Sequence, residues 1–145
     1  MAAKGFAKIM EVRDLRRFEA APKEPSTPSL ENAQELKNAA ITSRAIARKR
    51  GGYGMAFANV PLPEGRTVEL VVREAVAKAL IEQGYEVVDA RSPQYDKALP
   101  MQVDIDQFWA WFTPRPPILG GGSVEFRVVL ALKAEALTGR KEVIA

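Results

Sequence analysis

The sequence predicts a single α+β domain over residues 1–145. Its expected architecture is a mainly antiparallel sheet of three or four strands, with one long amphipathic helix packed on one face. Three stretches predict it. Val68, Val72, Ala75, Val76, Ala79 and Leu80 recur at helical spacing. The runs 102–112 and 124–132 instead alternate with period two, the mark of a strand with one buried face.

Taken in order, residues 5–20 begin strand-like around Ala7, Ile9, Met10 and Val12. The alternation is broken, which predicts a bulge or an early end before Arg13-Asp14-Leu15-Arg16-Arg17. Pro22, Pro25 and Pro28 forbid regular structure and predict an extended surface loop, the start of an irregular Pro/Gly-rich connection over about 22–65. Within it, Leu30 to Arg50 reads as a weak helix or ordered loop, because Ala33, Leu36, Ala40 and Ile41 have near-helical spacing but Ile41-Thr42-Ser43 is poor helix material. Gly51, Gly52 and Gly54 end any such helix.

The main helix is expected from Thr67 to Gln83. Thr67 is the N-cap candidate, Glu69–Arg73 and Glu74–Lys78 form i,i+4 pairs, and Gly84 stands where a left-handed residue would stop the helix. Tyr85 to Ala90 then leaves as a strand. The strand at Met101–Phe112 ends at Pro114, and Gly120–Ser123 has the composition of a flexible linker. A last short strand is expected at 142–144, after the turn signal Thr138-Gly139-Arg140.

Composition narrows the chemistry. With 47% hydrophobic residues the chain can build a core without staples, and it contains neither cysteine nor histidine. Cys-His and Ser-His catalysis, Cys/His zinc sites, His-ligated haem and iron–sulfur clusters are therefore excluded. No run of eighteen apolar residues predicts a membrane span. Residues 1–50 hold 11 Lys/Arg against 6 Asp/Glu, whereas residues 51–145 hold 10 against 12, so the basic excess lies in the first part.

Three constellations stand out. Asp104 and Asp106, two apart on a strand, leave the same face and form a candidate cation or proton-sharing pair. No further oxygen ligands or glycine turn accompany them, and a solvated strand face is the commoner reading. Arg44, Arg48, Lys49, Arg50 and Tyr53 resemble a basic nucleic-acid patch with one aromatic, read alternatively as a charged connection. Phe108, Trp109, Trp111 and Phe112 place two tryptophans on one face of a strand and two phenylalanines on the other. Either both faces are covered or one pair is an exposed docking surface.

In order along the chain stand Val12-Arg13-Asp14-Leu15-Arg16, Ala45 through Gly54, Leu62-Pro63-Glu64-Gly65-Arg66-Thr67-Val68, Gly84-Tyr85-Glu86-Val87-Val88, and Val103 through Pro114. This succession resembles the YajG-type putative lipoproteins of Gram-negative bacteria from about Ile9 to Leu137. Trp109-Ala110-Trp111-Phe112-Thr113-Pro114 is its most specific piece. The resemblance implies a small periplasmic domain held to a membrane by a lipidated N-terminal cysteine, and it brings no catalytic residues with it. Met1-Ala2-Ala3-Lys4-Gly5 has no signal-peptide core, so such a leader would precede this chain. Arg115-Pro116-Pro117 and the glycine run depart from the pattern expected after Pro114.

The expectation that follows is a non-catalytic envelope domain, without metal or cofactor, that acts as a structural or protein-interaction module, docking an envelope protein or organising an envelope complex through its sheet edges or aromatics. The alternative is a nucleic-acid-binding module using residues 44–53. The regular, proline-free strand at 124–132 further predicts a homodimer or larger oligomer, made through a sheet edge or the Trp109/Trp111 face.

Overall fold

The computed structural model describes residues 4–51, 55–115, 120–136 and 139–144, with side chains described as far as Ala134. The strands are β1 (Gly5–Asp14), β2 (Ala45–Arg50), β3 (Ala56–Pro61), β4 (Tyr85–Val87), β5 (Leu99–Pro114), β6 (Gly122–Ala136) and β7 (Gly139–Ile144). The helices are α1 (Ala39–Thr42) and α2 (Val68–Glu82), with 3₁₀ turns at Ala33–Glu35 and Tyr95–Lys97. The chain divides into two compact units, each assembled from separated stretches: residues 1–14, 69–106 and 129–145 in the first, 15–68 and 107–128 in the second.

In the first unit β1 is a central strand. It pairs in parallel with β4, Gly5 opposite Tyr85, and in parallel with β5, Ala7 opposite Leu99. The broken alternation of β1 has a structural cause: its register against β5 shifts between Ile9 and Glu11. β6 and β7 pair antiparallel, Ala131 opposite Ile144. Hydrogen bonds tie α2 to β1. The Asp14 amide donates to Glu69 Oε1 at 3.1 Å, and Arg73 Nη1 donates to the Ile9 carbonyl at 3.1 Å. Ala7, Val12, Val72, Val76, Met101, Val103 and Ile105 are buried. Gly84 ends the helix with φ +97°, as its position in the sequence anticipates.

In the second unit β2 and β3 form an antiparallel pair, and β2 lies parallel to β5 with Ala47 opposite Ala110. Leu30, Ala45, Trp109 and Trp111 form its buried core, with Phe18, Leu36 and Ile41 packed against them. The Arg115 amide donates to the Gly121 carbonyl at 3.0 Å and closes β5 onto β6. Gly120 and Gly121 take φ of 65° and 69° in this return, and a Cβ at Gly122 would overlap the Phe112 ring and the Thr113 carbonyl. The glycine run is thus the turn of a hairpin and the start of β6, not a linker.

These findings correct the expected fold class. Among the described residues the structure is strand-rich, and the sheet is mixed rather than a mainly antiparallel one of three or four strands. Alternation reports which face of a strand is buried, not the direction of its neighbour. The neighbours of β1 are reached across long stretches of chain, so parallel pairs form. Nor is there a long amphipathic helix: α2 has 15 residues and buries one row, Val68, Val72 and Val76, while Ala75 and Ala79 of the expected stripe are exposed. The 22–65 connection is also more regular than expected, because it carries β2, β3 and α1.

Candidate functional site

The two sequence segments read as rival sites are neighbours in the second unit. Parallel pairing of β2 with β5 sets Arg48, Lys49 and Arg50 beside Ala110, Trp111 and Phe112. Between them lies an apolar groove of about 380 Å³ whose lining includes Lys49, Phe57, Val60, Ala110, Phe112 and Val124. Phe57 is 54% exposed and Val124 74%. Phe126, also exposed, continues the apolar surface by meeting Phe108 edge to face, ring centroids 5.1 Å apart.

The four sequence-predicted aromatics divide by strand alternation. Trp109 and Trp111 are buried, whereas Phe108 and Phe112 are half-buried. Trp109 meets Phe18 edge to face at 5.8 Å, and its indole N–H donates to the Pro25 carbonyl at 3.2 Å. The proline-rich segment accordingly does structural work that its composition hides. The Glu19 amide donates to Pro28 O at 2.9 Å, Leu30 is buried, and the segment closes over the tryptophans. Arg127 lies over the Trp111 ring, 5.4 Å from its centroid.

Arg16 is the polar anchor of this unit. Its buried guanidinium donates to Thr42 O at 2.7 Å, Ala45 O at 2.6 Å and Phe108 O at 3.1 Å. Carbonyls from α1, from β2 and from β5 are thereby satisfied by one side chain. That group fixes the parallel approach of β2 to β5, and with it the groove.

The basic segment runs through β2, and its arginines are engaged within the chain. Arg44 donates to Leu62 O at 2.7 Å, and Arg48 donates to Ser29 Oγ at 2.9 Å and to Ala58 O at 3.2 Å. Burial, and then the nearby Arg50, pull Arg48 below its ordinary pKa. Lys49 is exposed at the groove. Tyr53 lies outside the described residues.

Asp104 and Asp106 are not brought together as a pair. Asp106 is exposed, while Asp104 is buried in the first unit among cations. Arg13 Nε and Nη2 donate to its two oxygens at 2.8 and 3.0 Å, Lys133 Nζ at 2.9 Å and Gln102 Nε2 at 3.1 Å. The Arg13 bond above all, with Lys133 and Gln102, holds the Asp104 carboxyl well below the usual carboxylate range despite its burial, and raises Arg13 in turn. With its lone pairs so occupied, Asp104 is an ion-pair centre rather than half of a cation site.

Phe57, Val60 and Val124 are the groove residues that sequence reasoning does not single out as a site. Ala56, Ala58 and Val60, set between Phe57 and Asn59, carried a weak strand signal, which the surrounding glycines and prolines masked. Among the described residues no helix is long and apolar enough to cross a membrane. No family model, curated protein or solved structure matches the chain. The likeness to YajG-type lipoproteins therefore rests on the residues quoted for it.

Proposed function

We propose that this chain is a non-catalytic protein-docking module whose receptor surface is the apolar groove of the second unit. The observation that carries the reading is the convergence of exposed Phe57 and Val124 with half-buried Phe112 beside the exposed Lys49. Rigid aromatic anchors with one cation at the margin suit an apolar segment carrying an acidic side chain. The partner is thus a protein segment with two or three large apolar residues and a neighbouring Asp or Glu. The resemblance to YajG-type lipoproteins supports a setting in the periplasm, with the module held to the membrane through a lipidated N-terminus.

The test is selection of a random 12-residue peptide library on the immobilised protein. Wild type enriches apolar peptides bearing Asp or Glu, Lys49→Glu exchanges that preference for Lys or Arg, and Phe57→Ser abolishes enrichment. No enrichment, or enrichment indifferent to both substitutions, overturns the reading. Nucleic-acid binding is less well supported, because Arg44 and Arg48 already hold carbonyl and hydroxyl oxygens of the chain.

A further inference from the structure

The outer edge of β6 is only partly covered. β7 pairs with it from Ala131 to Ala136, and among the described residues no strand pairs with that edge from Gly122 to Leu130. Residues 123–127 are exposed, and Val124 and Phe126 are more than half so. An edge of this length without proline offers unpaired N–H and C=O groups to a second strand.

The open stretch is self-complementary. Val124-Glu125-Phe126-Arg127-Val128 reads apolar, acidic, apolar, basic, apolar about Phe126, which is also the midpoint of Gly122–Leu130. We propose that two copies of this chain pair antiparallel through β6, with a two-fold axis at Phe126. Phe126 then faces its symmetry mate, Val124 faces Val128 of the other copy, and Glu125 faces Arg127 of the other copy twice. Glu125 has no ion pair within the chain among the described residues. Arg127, stacked on Trp111, keeps the edge of its guanidinium for a carboxylate.

Backbone geometry agrees with this register. The Gly121 carbonyl points to β5, where it accepts from Arg115, so alternation turns the backbone groups of Val124, Phe126 and Val128 outward. Phe126 then forms a hydrogen-bonded pair with its mate. The Glu125–Arg127 contacts fall at the non-hydrogen-bonded positions, where side chains lie closer. On the other face the Phe108–Phe126 contact extends across the axis into a row of four rings. Val124 belongs both to the groove and to this pairing, but Glu125 and Arg127, whose reversal tests the pairing, do not line the groove, so the two readings fail separately.

Sedimentation equilibrium over a hundredfold concentration range tests it, with melting temperature as the check on folding. Wild type approaches twice the 15.9 kDa of one chain. Arg127→Glu and Glu125→Arg each weaken association roughly tenfold to a hundredfold, because the axis sets two like-charge contacts in place of two attractive ones. The double variant Glu125→Arg/Arg127→Glu restores association to about the wild-type level, since it exchanges the partners of both pairs. A constant monomer mass for wild type overturns the proposal. So does a dimer unaffected by the single reversals, or a folded double variant that stays as weak as they are.

Discussion

Asp104 gives the sharpest stability prediction. Replacing it by alanine leaves Lys133 and Arg13 facing an empty acceptor site in the first unit, where Asp104 is 3% exposed. Removing one partner of a fully buried pair costs about 3–5 kcal/mol. Here the Arg13 side chain is 41% exposed and that of Lys133 23%, so both can turn toward water and the cost falls to about 2–3 kcal/mol. For a chain of this size that lowers the melting temperature by roughly 5–10 °C at pH 7. The sign of the pH dependence follows from the depressed folded-state pKa of Asp104. Its stabilisation is fully present above the unfolded carboxylate value of about 3.9 and drains away as pH falls below it toward the folded value. Circular-dichroism melts of wild type and Asp104→Ala at pH 7, 5, 4 and 3 should show a gap that is constant to about pH 5 and narrows below pH 4. A shift under about 2 °C at pH 7, or a gap unchanged at pH 3, would refute the assignment.

Arg16→Met should destabilise the second unit by about 3 kcal/mol or more, because the carbonyls of Thr42, Ala45 and Phe108 lose a charged donor. Near-UV dichroism of the tryptophan band, sensitive to the packing of Trp109 and Trp111, reads the loss under mild denaturant. Gly84→Ala should cost about 1 kcal/mol, since alanine resists a φ of +97°, and urea melts would measure it. Duplex DNA and RNA titrated at 50 mM and 200 mM salt should show no binding tighter than the weak, salt-sensitive level of any basic surface. Micromolar affinity with a log–log slope near −3 to −4 would favour the nucleic-acid reading instead.

The strand content was legible in the sequence wherever alternation was uninterrupted. Val124 to Leu132 and Val103 to Phe112 lie within β6 and β5, and the irregular spacing near Met10 marked the register shift of β1. Strand direction was not legible, because β1 joins β4 and β5 across stretches that carry no pairing signal of their own. β2 was hidden by its charge: Arg48 and Lys49 look solvated, yet Arg48 reaches across to Ser29. Of the groove, Phe112 and the basic strand were legible from aromatic and charge density. Phe57 was not, since a lone apolar residue in a short strand gives no period. Val124 was legible as strand but not as an exposed side chain, since alternation does not say which end of a strand is covered. Arg16 looked like one cation in a charged run, and only the approach of three carbonyls distinguishes it from Arg17.

The docking claim is tested most directly by a two-dimensional ¹H–¹⁵N NMR titration of the protein with a peptide enriched in the library selection. The account predicts shift changes confined to Ala47–Arg50, Phe57–Val60, Ala110–Phe112 and Val124, saturating together, and lost in Phe57→Ser. Changes centred on Ile9, Arg73, Val88 and Tyr95, which line a separate cavity of the first unit, would contradict it, as would a response that Phe57→Ser leaves intact.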